Sequence, residues 1–140
     1  MKAKIFLISL FTVITQLTAQ EGQISFTAEV SKKSLGINEN LRVDFKMNQD
    51  GDNFNAPNFD GFRVVGGPNQ SVSNTWVNGE RTFSKVYSYY LTPIKKGNLS
   101  IGQATIEINN TIYKTMPVKI VVSGSASVTK NPNDPSYVVN

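Results

Sequence analysis

The chain has 140 residues, a formal net charge of +4, and neither cysteine nor histidine. Without histidine it lacks the usual general base and the commonest metal ligand, and without cysteine no disulfide can support its core. Its lysines and arginines are scattered, with pairs only at Lys32-Lys33 and Lys95-Lys96, so there is no basic stripe for nucleic acid.

The first residues read as an export signal. Lys2 and Lys4 precede an apolar run, Ile5 to Ile14, which ends in Gln16-Leu17-Thr18-Ala19. A basic start, a short apolar core and a small residue before a break describe a secretory signal peptide over residues 1–19. The run is short for a membrane-spanning helix, and no cysteine follows it to take a lipid anchor. Cleavage after Ala19 removes two lysines and lowers the charge from +4 to +2. An exported domain without cysteine suits a bacterial envelope better than a small animal secreted domain, which usually needs disulfides.

From residue 20 the pattern is period two. Ile24, Phe26, Ala28 and Val30 alternate with polar residues, as do Leu41, Val43, Phe45 and Met47. Both stretches predict strands with one buried face. Residues 34–40 read as a connection with apolar plugs. Residues 48–61, NQDGDNFNAPNFDG, read as a long polar loop pinned to the body by Phe54 and Phe59. A short strand is predicted over 62–65. The stretch GGPNQSVS, residues 66–73, then reads as a turn, bulge or crossover between strands. A further strand over 71–77 leads into Asn78-Gly79, whose residue types suit the positive φ values of a type I′ turn. That turn predicts a hairpin with a long strand over 81–91.

Turn residues 92–98 follow, then strand segments at 99–101 and 104–108. Asn109-Asn110 predicts a second tight turn, with returning strands at 111–115 and 118–122. Pro117 marks a strand beginning or an edge. About seven to nine short strands with turns roughly every 8 to 12 residues, and no helical period, predict an all-β, immunoglobulin-like antiparallel β-sandwich over residues 20–123. The absent cysteine pair excludes the antibody type. Residues 124–140 read as a linker or tail that ends on Tyr137-Val138-Val139-Asn140, as if a further domain were to begin.

Chemistry-bearing groups are sparse. Asp50 and Asp52, with Asn48 and Asn53, have the oxygen spacing of a cation loop. Gly61, however, stands where an EF-hand needs its glutamate, twelfth from Asp50. Asp44 and Glu107 fall on polar strand faces, where charge is expected. There is no Gly-x-Ser-x-Gly elbow, and Gly66-Gly67-Pro68 lacks the Gly-Lys-Ser/Thr of a phosphate loop. No catalytic residue, cofactor or metal site is therefore expected. The aromatics are more informative. Tyr87, Tyr89 and Leu91 share one strand face, Val86, Ser88 and Tyr90 the other, and Trp76 lies near a hairpin tip. Trp76, with the uncharged Pro68, Asn69 and Gln70, forms the candidate partner-binding set.

The blocks ISFTAEVSKKSLGINENLRVDFKMN (24–48), FNAPNFDGFRVVGGPNQSVS (54–73) and YSYYLTPIKKGNLSIGQATIEINNTIYKTMPVKIVV (87–122) resemble, in order and spacing, the N-terminal domain of the BatD aerotolerance, or oxygen tolerance, family. The resemblance implies an exported periplasmic β-sandwich and no established catalytic activity. It implies a longer parent anchored through a C-terminal membrane span. It also implies envelope partners, von Willebrand A-type and tetratricopeptide proteins, in a complex linked to stress tolerance. Two other readings of the residues stay open: a carbohydrate-binding module that uses Trp76 and the tyrosines as a stacking platform, and an adhesin or fibre subunit that pairs through an open sheet edge.

Overall fold

A computed structural model of the chain describes residues 22–125. The expected signal peptide, residues 1–19, and nearly all of the expected linker, 124–140, lie outside the described residues. Ten strands follow in chain order: β1 (Phe26–Val30), β2 (Ser34–Gly36), β3 (Leu41–Met47), β4 (Asp52–Asn55), β5 (Phe62–Val77), β6 (Glu80–Pro93), β7 (Gly97–Ile101), β8 (Thr105–Ile108), β9 (Thr111–Lys114) and β10 (Val118–Ser123). The described residues contain no helix.

The strands form three sheets. The largest has the order β1-β3-β6-β5 and is antiparallel throughout. This is the A-B-E-D order of an immunoglobulin-like sheet, with β1, β3, β5 and β6 in the places of A, B, D and E. A second sheet, β2-β10-β7, pairs β10 parallel to β2 and antiparallel to β7. The third, β4-β8-β9, is antiparallel. All three sheets contribute to one hydrophobic core, as an all-β sandwich requires.

The alternation explains that core directly. Leu41, Val43, Phe45 and Met47 of β3 are all buried, and Arg42 and Lys46 between them are exposed. Tyr89 and Leu91 come from β6, Ile106 and Ile108 from β8, and Ile120 and Val122 from β10. Period two puts each set on one side of its sheet. Among the described residues Thr115 is the one fully buried polar side chain, and its Oγ1 accepts the Ala104 amide at 2.9 Å. The Thr115 amide donates back to the Ala104 carbonyl at 3.0 Å, which closes the bend between β9 and β10 against the start of β8.

Two local expectations are corrected, and a third is narrowed to one of its alternatives. Residues 66–73 are not a turn, because β5 runs unbroken from Phe62 to Val77. The Gly-Gly-Pro composition is absorbed by two register shifts, between Val64 and Gly66 and between Gly66 and Asn69, so a bulge is the correct member of the alternatives. The polar loop contains β4, which pairs with β8. Its turn-like composition hides the strand because Phe54 is its only inward residue. The connection at 34–40 contains β2, which bonds to β10 rather than to a neighbour in sequence. Pro117 immediately precedes β10, an inner strand, so it marks a strand beginning and not an edge. Both tight turns are as predicted. Asn78 and Gly79 have φ of 51° and 78°, and Asn109 and Asn110 have 51° and 61°, as type I′ turns need.

Candidate functional site

The β5–β6 hairpin is much longer than the sheet that carries it. β3 pairs with β6 only from Leu41↔Leu91 to Met47↔Lys85. Beyond that point β5 and β6 pair only with each other, through Asn74↔Phe83, Thr75↔Thr82, Trp76↔Arg81 and Val77↔Glu80. The burial of β6 follows suit, running from exposed at Glu80 to buried at Leu91. On β5, every residue from Gly67 to Val77 is exposed. The hairpin is thus a two-stranded ribbon that leaves the sandwich and ends at Asn78-Gly79. Past the end of β3, from Ser73 to Val77, it extends for about 14 Å at strand rise.

The two faces of the ribbon differ in chemistry. Period two places Gln70, Val72, Asn74 and Trp76 on one face, opposite Tyr87, Lys85, Phe83 and Arg81. The other face carries Ser71, Ser73, Thr75 and Val77, opposite Val86, Ser84, Thr82 and Glu80. The first face is aromatic and cationic, and the second is mostly small hydroxyls. Trp76 is 69% exposed, and Val72 and Val77 are 55% and 60% exposed. Polar residues on both faces are what a strand pair solvated on both sides requires.

The ribbon is organised by a few specific contacts. The Arg81 Nε donates to Asn74 Oδ1 at 2.9 Å, and the guanidinium lies 5.7 Å from the Phe83 ring centroid. At the base, the Lys85 ammonium donates to Asp50 Oδ1 at 3.0 Å and lies 5.5 Å from the Tyr87 ring. The hydrogen bond to Asp50 raises the Lys85 pKa above its ordinary value. A cleft of about 600 Å³ adjoins this base, lined by Gly22, Ile24, Asn48, Gln49, Arg81, Thr82, Phe83 and Asn109.

The four candidate residues all lie on β5, but not in one patch. Pro68 sits in the second bulge, after a cis Gly67–Pro68 peptide bond. Asn69 pairs with Ser88 and Gln70 with Tyr87, so the two side chains face opposite ways. Gln70 and Trp76 share a face but are about 20 Å apart along the strand. Gly67 explains the close fit of the bulge. Its φ is 91°, and a Cβ there would lie 2.3 Å from the Ser88 carbonyl oxygen.

Sequence reasoning missed Val72, Arg81 and Phe83 as companions of Trp76. The signal was available, since carrying period two across the Asn78-Gly79 turn places all four on one face. The tyrosines do not join Trp76 in a stacking platform. Tyr87 and Tyr89 turn into an aromatic cluster with Phe45, Phe54 and Phe59. Burial raises the Tyr89 pKa, helped by the neighbouring Tyr87. Tyr90 faces the opposite side, where its ring lies along Gly66. The acidic loop does not gather a cation cage either. Asp50 is paired with Lys85, and Asn53 Nδ2 donates to Glu107 at 3.0 Å. Among the described residues no group of three or more His, Cys, Asp or Glu converges as a metal site. No described helix is long and apolar enough to cross a membrane.

No curated protein matches this chain, and no solved structure does. One family does match: residues 28–122 fit the BatD DUF11 like domain, from β1 to the end of the core part of β10. That match spans well over half of the sequence, takes in the whole ribbon, and agrees with the all-β sandwich and with the resemblance of the sequence blocks; the chain belongs to the BatD family.

Proposed function

We propose that this chain is a non-catalytic docking domain of a bacterial envelope assembly, and that the β5–β6 ribbon is its docking element. The observation that carries the reading is the ribbon itself. A sandwich does not need a hairpin that outruns its sheet, and a lone hairpin in water gains little stability. This one nonetheless holds a tryptophan and a valine in solvent at its tip, and a second exposed valine at its base. Tryptophan and arginine, which stand side by side here, are among the residue types most enriched where binding energy is concentrated.

Family membership supplies the setting. In this reading the chain is exported and works in the periplasm, as part of a longer anchored parent. Its partners are von Willebrand A-type and tetratricopeptide envelope proteins, in a complex linked to aerotolerance and stress tolerance. The free edge of β5 would also serve an adhesin or fibre subunit, but family membership favours the envelope complex. The dispersal of the tyrosines leaves the carbohydrate reading without its platform. A crosslinking pull-down from envelope membranes tests the proposal. The paired replacement of Asn69 and Gln70 by alanine, and Trp76→Ala, should each weaken recovery of partners without unfolding the domain.

A further inference from the structure

Among the described residues, nothing pairs with the outer edge of β5. The other sheet edges, β1, β2, β4, β7 and β9, are three to five residues long. β5 is sixteen residues long. Long edges are normally blunted by charge, proline or bulges, because their open N–H and C=O groups template further pairing. Here both bulges and the proline fall at the base, at residues 64–69. From Asn69 to Val77 the register with β6 is unbroken, and NQSVSNTWV contains no charge, proline or glycine. The outer segment is therefore regular, unguarded and rich in strand-forming residues.

The turn fixes which backbone groups are open. In a two-residue hairpin the flanking pair, here Val77↔Glu80, is hydrogen-bonded, and bonded pairs then alternate. Ser71, Ser73, Thr75 and Val77 thus aim their backbone groups at β6. Val72, Asn74 and Trp76 aim theirs at the open edge. These outward residues are spaced evenly about Asn74.

We infer that two copies of this chain pair β5 to β5 through these edges, antiparallel about a two-fold axis at Asn74. Pairing of this kind presupposes that the ribbon is a docking element. The register it needs sets Val72 against the partner copy's Trp76 on the aromatic face, twice by symmetry. On the other face Ser73 meets Thr75. The backbone groups opposed are the outward-pointing ones, so the ladder closes. No side chain between Val64 and Gly79 carries a charge, so no like charges meet across the axis. An isologous pairing also consumes both open edges at once and stops at two copies. The result is a four-stranded sheet with the two sandwiches at opposite ends, and two tryptophans each covered by a valine.

Sedimentation velocity on the full chain over a concentration series tests this, with Trp76 emission, from the chain's single tryptophan, read in parallel. The expected result is a doubling of mass with rising concentration, no larger species, and a blue shift of emission with the same midpoint. Asn74→Pro removes an outward N–H and the side-chain bond from Arg81 but leaves the backbone ladder to β6 intact, so it should hold the chain at one copy with unchanged circular dichroism. Asn74→Lys, which brings two cations together at the axis, should do the same if the proline variant fails to fold. A single copy at every concentration overturns the pairing, as does a dimer indifferent to both variants or an open-ended series of larger species. A single copy in solution that still recovers envelope proteins overturns the pairing and leaves the docking reading standing. A dimer that recovers nothing does the reverse.

Discussion

The ring of Phe54 lies flat on the ring of Tyr87, with centroids 4.1 Å apart and planes 6° from parallel. Phe54 belongs to β4 and Tyr87 to β6, so the contact joins the third sheet to the first. It also marks where the ribbon leaves the body, because the next residue on that face is Lys85. Phe54 touches Phe26 and Phe45 as well, at 6.4 and 5.7 Å. Phe54→Ala should therefore cost about 2–3 kcal/mol, below the range for a fully enclosed phenylalanine because the ring is half-buried. Urea unfolding measures this, and a change below about 0.5 kcal/mol would mean that the stack does not anchor the loop.

The second bulge predicts a contrast between adjacent glycines. Gly67→Ala must place a Cβ against the Ser88 carbonyl oxygen at a φ of 91°. It should destabilise by more than about 1 kcal/mol. Gly66 has no positive φ, and a Cβ there would meet only the Tyr90 ring at 3.3 Å. Gly66→Ala should cost clearly less. Equal costs in parallel urea titrations would contradict the bulge geometry.

Glu39 predicts a pH dependence. Its carboxylate accepts the Gly36 amide at 2.8 Å and is paired with Lys32. The Gly36 bond, then Lys32, hold its pKa below the ordinary 4.5. Folding therefore binds fewer protons at this site than the unfolded chain does. Its contribution is complete above about pH 4.5 and disappears as pH falls through the lowered value. Glu39→Gln should melt below the wild type at neutral pH, with the gap closing in acid. A gap that stays constant down to the acid limit would assign it to packing instead.

The fold was legible where one face is dry and the other wet. Leu41, Val43, Phe45 and Met47 announce β3 by strict alternation, and the Asn78-Gly79 and Asn109-Asn110 pairs announce their turns. β2 and β4 were hidden because each offers few inward side chains, Leu35 in one and Phe54 in the other, among turn-forming residues. The continuity of β5 was hidden because glycine and proline punctuate a sequence whether they make a turn or a bulge. Trp76 was legible as a tip residue from its distance to Asn78-Gly79. That the tip stands clear of the sandwich was not, because it depends on β3 ending at Met47 while β6 goes on.

Trp76 should matter to binding and not to folding. With the side chain 69% exposed, Trp76→Ala should change stability by no more than about 0.5 kcal/mol. Thermal melts of both proteins check that half of the expectation. A large loss of stability would place Trp76 in the structural framework of the domain.

The most direct measurement is a crosslinking pull-down from cell-envelope membranes, using the chain tagged after residue 19. Wild type and Trp76→Ala are compared in the same preparation. If the ribbon docks the domain, wild type recovers von Willebrand A-type or tetratricopeptide envelope proteins and Trp76→Ala recovers several-fold less. Equal recovery by the two would remove the ribbon tip from the interface. Recovery of no envelope protein by the wild type, together with retention on a polysaccharide column, would contradict the docking account itself.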